Sequence, residues 1–136
     1  MAKKTYQGSC HCGRVRFEAD LDLSGPTFRC NCTYCTKARN WFATTEPDSF
    51  RLLAGESDLA DYQFGPKRLL HQFCRNCGVR PFGRLVAEVE GMAPFVAIAL
   101  ASLDDVDPGT LAVAPIQYFD GRNDDFESAP AETRHL

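Results

Sequence analysis

Seven cysteines, all within the first 77 residues of a 136-residue chain, constrain the fold more than any other feature of this sequence. Unpaired cysteines usually behave as small apolar residues and would be scattered along the chain. Here they form three tight groups with the sequences CHC, CNCTYC and CRNC. An odd number of thiols cannot pair completely as disulfides, whereas this spacing is typical of metal ligands. The sequence therefore predicts a metal-binding domain with the ligands Cys10, Cys12, Cys30, Cys32, Cys35, Cys74 and Cys77.

The rest of the composition indicates one soluble globular domain. A content of 44% hydrophobic and 24% charged residues is ordinary for a folded protein of this length. The longest apolar run, residues 93–101, is far shorter than the roughly 20 residues of a membrane-spanning helix. No apolar segment follows the basic residues near the start, so we expect no secretory signal, no membrane partner and a cytoplasmic location. The net charge of −3 gives no basic surface, and we expect no nucleic-acid partner.

Short segments separated by Gly and Pro predict a mainly β fold without long helices. Residues 14–20 alternate in polarity, which places Val15, Phe17 and Ala19 on one face of a strand. One short helix is predicted at Thr33–Arg39. Further strands are predicted at Thr27–Cys30, Trp41–Thr44, Ser49–Leu53, Leu59–Phe64, Arg68–Phe73, Phe82–Glu88, Pro94–Ala101 and Ile116–Phe119.

Four of the cysteines are predicted to form one closed zinc site. Cys74 and Cys77 enclose a tight turn followed by Gly78, the arrangement of a zinc knuckle. Such a site needs two more ligands. Cys10 and Cys12 can provide them, because residues two apart on an extended strand point to the same face.

The three remaining cysteines, Cys30, Cys32 and Cys35, have no fourth cysteine to complete a tetrahedron. Three protein ligands with an open position indicate a catalytic zinc, whereas a closed set of four indicates a structural one. The alternative is a second structural site whose fourth ligand is His71, an Asp or a Glu. The sequence alone leaves both interpretations open.

An open zinc site with three thiolates favours sulfur chemistry. The three negative charges make the metal a poor generator of hydroxide and a suitable partner for a soft fourth ligand such as a substrate thiol. Motifs of other zinc or nucleotide enzymes are absent, including HExxH, the P-loop, GxGxxG and the HxE…PCxxC pair of nucleobase deaminases. The expected chemistry is therefore activation or release of a thiolate.

Three ordered segments resemble the glutathione-dependent formaldehyde-activating enzyme (GFA) family, also called the CENP-V/GFA domain. They are Gly8–Phe17, Cys30–Cys35 and Phe73–Gly78, and Tyr118–Asn123 is similar to a segment near the end of many members. The resemblance implies a single small zinc-binding domain of the β-tent, Mss4-like type over residues 1–136. Its core would span about residues 6–123, with residues 124–136 as a C-terminal tail.

The resemblance also implies two Zn²⁺ ions per chain and a reaction. Cys10, Cys12, Cys74 and Cys77 would bind a structural zinc, and Cys30, Cys32 and Cys35 a catalytic one. The reaction would be that of a carbon–sulfur lyase or synthase acting on a thiol–aldehyde adduct such as S-hydroxymethylglutathione. Its partners would be a small glutathione-like thiol and an aldehyde.

A different class of function is a non-catalytic, zinc-stabilised module that binds a small thiol or a protein partner. Several other residues are weaker candidates for a role in a thiol site. Lys37, Arg39 and Arg75 flank the clusters and are candidates for contacts with substrate carboxylates. Tyr34, Trp41 and Phe42 are candidates for a pocket wall, and His71 for an acid or base.

Overall fold

The computed structural model describes residues 3–136, and within them ten strands form two sheets, which confirms the mainly β prediction. Two α-helices of six residues connect strands, α1 (Thr33–Ala38) and α2 (Pro108–Val113). Single 3-10 turns lie at Pro47–Ser49, Glu56–Asp58, Leu100–Ser102 and Gly121–Asn123. The strands are β1 (Lys4–Ser9), β2 (Arg16–Leu21), β3 (Thr27–Cys30), β4 (Trp41–Thr45), β5 (Phe50–Ala54), β6 (Leu59–Tyr62), β7 (Leu69–Cys74), β8 (Phe82–Leu85), β9 (Val96–Ala99) and β10 (Ile116–Phe119).

The two sheets differ in size and in strand direction. The smaller sheet has the antiparallel order β1-β2-β5, and the larger has the order β10-β3-β4-β9-β8-β7-β6. The outermost pair, β10 and β3, runs parallel, with Phe119 opposite Cys30. Because both strands end at the same edge of the sheet, the chain after β10 lies beside the first cysteine of CNCTYC.

An aromatic core joins the two sheets. The ring of Phe17 from the small sheet lies 5.4 Å from that of Phe82 in the large sheet, and Phe50 lies 4.8 Å from Phe82. The predicted shared face of Val15, Phe17 and Ala19 is confirmed, since all three are fully buried. Gly8 lies against the Phe17 ring so closely that an added Cβ would overlap it.

Two elements are absent from the sequence prediction. β1 has a polar sequence in which only Tyr6 and Gly8 are buried, and it pairs with β2 alone among the strands. α2 begins at Pro108 and is capped by Asp107, whose carboxylate accepts a hydrogen bond from Gly109 N–H at 2.8 Å. β9 is shorter than predicted, because the chain turns immediately after Ala99.

Neither α-helix approaches the length of a bilayer span. No helix in residues 3–136 is both long and apolar enough to cross a membrane.

Candidate metal centres

The structure brings Cys10, Cys12, Cys74 and Cys77 together, with all four sulfur atoms within 4.8 Å of one another. The Cys10–Cys12 and Cys12–Cys74 sulfur distances are 3.6 and 3.7 Å. Four sulfurs bound at about 2.3 Å to a tetrahedral zinc lie about 3.8 Å apart. The donor set therefore fits zinc in both chemistry and spacing.

The expected strand geometry of the CxC motif is wrong. β1 ends before Cys10, and Cys12 lies in a turn in which Gly13 N–H donates to the Cys10 carbonyl at 3.3 Å. Gly13 has a φ of 81°, in the left-handed region that glycine adopts without strain. The two sulfurs thus converge because the chain turns, and strand alternation plays no part.

The Cys74–Cys77 turn ends in the predicted glycine, Gly78. Gly78, with a φ of 79°, donates its N–H to the Cys74 carbonyl at 2.8 Å. Cys74 is fully buried at the end of β7, and Cys10 is buried opposite it. Burial raises the pKa of the Cys10 thiol to about 11, so this sulfur becomes a thiolate ligand only when a cation stabilises it.

Cys30, Cys32 and Cys35 form a second cluster, also with sulfur atoms within 4.8 Å of one another. Cys30 ends β3, Cys32 caps α1, and Cys35 lies in the first turn of that helix. Backbone N–H groups of Cys32 and Cys35 donate to the sulfurs of Cys30 and Cys32, both at 3.4 Å. The transition from strand to helix therefore places all three sulfurs around one point.

Without a bound metal ion, the three thiols differ in pKa. Hydrogen bonds from the Cys30 and Cys35 thiols lower the pKa of Cys32 to about 2. Contacts with Cys30 and then with Cys32 raise the pKa of Cys35, and a contact with Cys32 raises that of Cys30. The cluster thus holds one thiolate readily, and a bound metal ion would displace the other two protons.

The segment after β10 encloses the three-cysteine cluster. A Cβ added to Gly121 would overlap the Cys30 sulfur and come within 3.3 Å of the Cys32 Cβ. Asn31 donates to the Asp120 carboxylate at 2.8 Å, and its amide oxygen accepts from Arg122 N–H at 2.9 Å. The Asp120-Gly-Arg122 sequence therefore forms one side of the three-cysteine cluster.

His71 lies near this cluster, but its protonation does not suit a zinc ligand. Its Nδ1 accepts a hydrogen bond from Arg80 Nε at 3.1 Å. Because arginine can only donate, the imidazole proton must lie on Nε2. No histidine, aspartate or glutamate of residues 3–136 joins the three thiols as a ligand group. The predicted alternative of a fourth protein ligand thus finds no support in the described part of the chain.

Arg80 connects His71 to the cluster. Its guanidinium donates to the Asn40 side-chain oxygen at 3.2 Å, and Asn40 Nδ2 donates in turn to the Cys35 sulfur at 3.8 Å. Arg80 has no carboxylate partner within 4 Å among the described residues. Its positive charge is therefore available to offset the negative charge of the thiolates.

Most other predicted candidates have ordinary structural contacts. Arg39 donates to the His135 carbonyl at 2.7 Å, Arg75 donates to the Leu59 carbonyl at 3.3 Å, and Lys37 is exposed. The Trp41 indole donates to Thr27 at 2.8 Å. Of the remaining aromatic candidates, Phe42 packs on Phe28, whereas Tyr34 packs on His71.

An open cavity of about 560 Å³ lies beside the cluster. Arg122 lines it, and its Nε donates to the Asn31 carbonyl at 3.1 Å. Within residues 3–136, the Arg122 side chain makes this one hydrogen bond and no ion pair. Arg80 was not predicted as a site residue, and Arg122 was named only within the Tyr118–Asn123 segment that resembles the family, because local sequence does not show which side chains approach a given cysteine cluster. The other lining residues are Asn31, Thr36, Asp120, Asn123, Pro130, Ala131, Glu132 and His135.

Comparisons with known proteins agree with this arrangement. The model of a family described as glutathione-dependent formaldehyde-activating enzyme matches residues 5–119. The crystal structure of a Rhodobacter sphaeroides protein is similar, with a TM-score of 0.68 and 29% identity over 82% of this chain and 99% of that chain. The fold is thus of the Mss4-like type. The chain belongs to the glutathione-dependent formaldehyde-activating enzyme family.

Proposed function

We propose that the protein is a zinc-dependent carbon–sulfur lyase or synthase acting on an adduct of a glutathione-type thiol and a small aldehyde. Membership of the family supports glutathione-dependent chemistry of formaldehyde. The observation that carries the proposal is the convergence of Cys30, Cys32 and Cys35 without a fourth ligand among residues 3–136. Three protein ligands and one open position characterise catalytic zinc sites.

The proposed cofactor is two Zn²⁺ per chain. One would be held by Cys10, Cys12, Cys74 and Cys77 as a structural ion, and the other by the three-cysteine cluster. When bound to three thiolates, zinc supplies a soft Lewis acid that keeps an incoming sulfur deprotonated.

Residues of the chain would orient both the ligands and the thiol substrate. Asn40 is held by Arg80 and directs its amide towards Cys35, and such hydrogen bonds fix the direction of a ligating group. Arg122 lines the cavity, and its guanidinium suits a substrate carboxylate, because a guanidinium binds carboxylates through paired hydrogen bonds. Glutathione carries two such groups on its ends.

The reaction is reversible addition of the thiol to the aldehyde. In the synthetic direction a sulfur–carbon bond forms while the π pair of the carbonyl moves onto its oxygen. That oxygen takes a proton from water, and the proton of the thiol has already passed to water. The lyase direction reverses each step. We propose that this occurs in the cytoplasm, where glutathione maintains reducing conditions.

Cobalt-substituted protein provides the test of thiol binding. Glutathione should change the ligand-field and charge-transfer bands of the cobalt, whereas S-methylglutathione, the matched control without a thiol, should not. Arg122→Gln should weaken glutathione binding about 10-fold, by analogy with the loss of one charge-assisted contact, and the exposed Lys37→Gln should leave it unchanged.

Exchange spectroscopy by NMR then tests the reaction. The zinc protein should accelerate interconversion of formaldehyde and its glutathione adduct. Binding of glutathione without acceleration of this exchange would show that the protein is a thiol-binding module and not an enzyme. The absence of any cobalt response to glutathione would exclude both.

A further inference from the structure

His71 has a buried nitrogen with no partner. The residue is 3% exposed, and its Nε2 is the single buried side-chain nitrogen or oxygen without a hydrogen bond among residues 3–136. Leaving such a donor unpaired is energetically unfavourable. Buried polar groups are otherwise almost always satisfied, so an exception of this kind calls for a partner outside the protein chain, either an ordered water or a ligand.

The proton on this nitrogen is fixed by the other side of the ring. Arg80 Nε donates a hydrogen bond to Nδ1 at 3.1 Å. Because arginine cannot accept a hydrogen bond, Nδ1 carries no proton, and Nε2 is protonated in the neutral imidazole. Burial and then the charge of Arg80 lower the pKa of His71 to about 4. At neutral pH the side chain is therefore an uncharged hydrogen-bond donor.

The imidazole lies next to the three-cysteine cluster. Its ring is 4.1 Å from that of Tyr34, the residue that precedes Cys35 in CNCTYC. Arg80 links it through Asn40 to the Cys35 sulfur.

Aromatic rings pack on this imidazole. The Phe64 ring lies 5.5 Å from the imidazole and nearly parallel to it, and Tyr62 stacks on both Tyr34 and Phe64. Tyr62 and Phe64 are 48% and 44% exposed, so they form the outer wall. Because Nε2 is buried, a ligand can reach it only after a side chain moves, and Tyr62 and Phe64 are the exposed members of this stack. A bulky ligand would disrupt the whole stack.

We propose that His71 Nε2–H donates a hydrogen bond to the oxygen of a small aldehyde as a thiol adds to it at the three-cysteine site. This rests on the proposed function. The sulfur–carbon bond forms, the carbonyl π pair moves to the oxygen, and His71 stabilises the developing negative charge without losing its proton. The oxygen is then protonated by water, and elimination follows the same path in reverse. Donors that face a developing oxyanion typically contribute about 100-fold or more to the rate.

Two substitutions of matched size separate this role from a structural one. His71→Asn retains an acceptor near Nδ1 for Arg80 but places nothing at Nε2. His71→Gln loses the Nδ1 acceptor but carries an amide N–H to the Nε2 position. Zinc content and thermal unfolding of both variants establish that they fold, and glutathione affinity is measured by cobalt spectroscopy.

The expected result is that His71→Asn binds glutathione and zinc like the wild type but loses about 100-fold in the rate of aldehyde exchange. His71→Gln should recover at least 10-fold of that loss. In ¹⁵N-histidine-labelled zinc protein, the Nε2 proton should shift downfield when glutathione and formaldehyde are added together, and not with glutathione alone.

Three results would overturn the proposal. If the wild type accelerates exchange and His71→Asn does so equally, the proposal alone fails and the proposed function stands. A proton on Nδ1 in the NMR spectra would likewise exclude the donor role. If the wild type neither binds glutathione nor accelerates exchange, the proposed function fails as well.

Discussion

At the scale of single residues, the cysteine ligands lie in two different environments. Cys74 and Cys10 are buried, and the Cys74 backbone N–H donates to the Val79 carbonyl at 3.0 Å. Cys32 and Cys35 are partly exposed at the start of a six-residue helix. A ligand embedded in the core affects folding, whereas a ligand at its margin affects mainly the metal it binds.

Substitution of one cysteine from each cluster should therefore have unequal effects. Cys74→Ser removes a ligand of a structural site whose zinc contributes on the order of 10 kcal/mol, so this variant should not fold. Cys32→Ser should fold and contain one zinc fewer than the wild type, with a loss of about 1–3 kcal/mol. Circular dichroism melts and metal analysis measure both, and equal loss of folding would contradict the assignment of the two sites.

The buried imidazole of His71 predicts a dependence of stability on pH. Its pKa is about 4 in the folded chain and about 6.5 when unfolded, so the unfolded state binds the extra proton between these values. This contribution to stability is intact above pH 6.5 and falls by about 2 kcal/mol between pH 7 and pH 5. Denaturant unfolding of wild type and His71→Gln at both pH values measures it. Because both chains keep the cysteines, the difference between them isolates the histidine, and parallel pH profiles would contradict the prediction.

At the scale of elements, the three-cysteine cluster depends on two strands that are distant in sequence. β3 carries Cys30 to the edge of the large sheet, and the parallel pairing of β10 brings Gly121 against its sulfur. Asn31 then joins the two segments through hydrogen bonds to Asp120 and Arg122. The 3-10 turn after β10 is therefore a wall of the site.

Gly121→Ala should selectively damage this cluster. Its methyl group would overlap the Cys30 sulfur, so the turn or the cysteine must move, and we expect zinc affinity of the second site to fall at least 10-fold. Gly25→Ala is the matched control, because its Cβ would meet no atom closer than 3.4 Å. Competition with a chromophoric zinc chelator measures both variants. Unchanged affinity in Gly121→Ala would show that the turn adapts without cost.

At the scale of the whole molecule, the four-cysteine cluster joins the two sheets. Cys10 and Cys12 follow the first strand of the small sheet, whereas Cys74 ends β7 of the large sheet. A zinc ion there would connect residues more than 60 positions apart, in addition to the aromatic core around Phe17 and Phe82. The three-cysteine cluster, in contrast, lies within one strand–helix connection.

Removal of metal should therefore occur in two stages. The freshly purified protein should contain two zinc ions per chain. A chelator should first remove the ion of the three-cysteine cluster, without loss of β-sheet circular dichroism. Removal of the second should unfold the domain, because its ligands hold the two sheets together. Chelator titration followed by absorbance and circular dichroism distinguishes the stages. Simultaneous loss of both ions and of the fold would contradict this order.

Local sequence was sufficient for much of this protein. Spacing alone separated the seven cysteines into four and three, because ligands of one zinc must be close in space and short motifs ensure that closeness. Alternation correctly placed Phe17 and its neighbours in the core, and β3 and β10 were predicted with their observed bounds. Apart from the joining of CHC to CRNC, which spans more than 60 positions and was predicted from the need of a closed site for four ligands, these features depend on residues within a few positions of one another.

Tertiary structure decided the rest. The polar strand β1 exists because β2 offers it a partner, and its own sequence gives little indication of a strand. The approach of Gly121 to Cys30, the Arg80 contact that determines the His71 tautomer, and the packing of Tyr34 and Phe64 on His71 each join residues from separate elements. Sequence spacing carries no information about such contacts, since they depend on how strands pair and sheets pack. The sequence by itself thus determined which residues can bind metal, and only the folded chain decided what surrounds them.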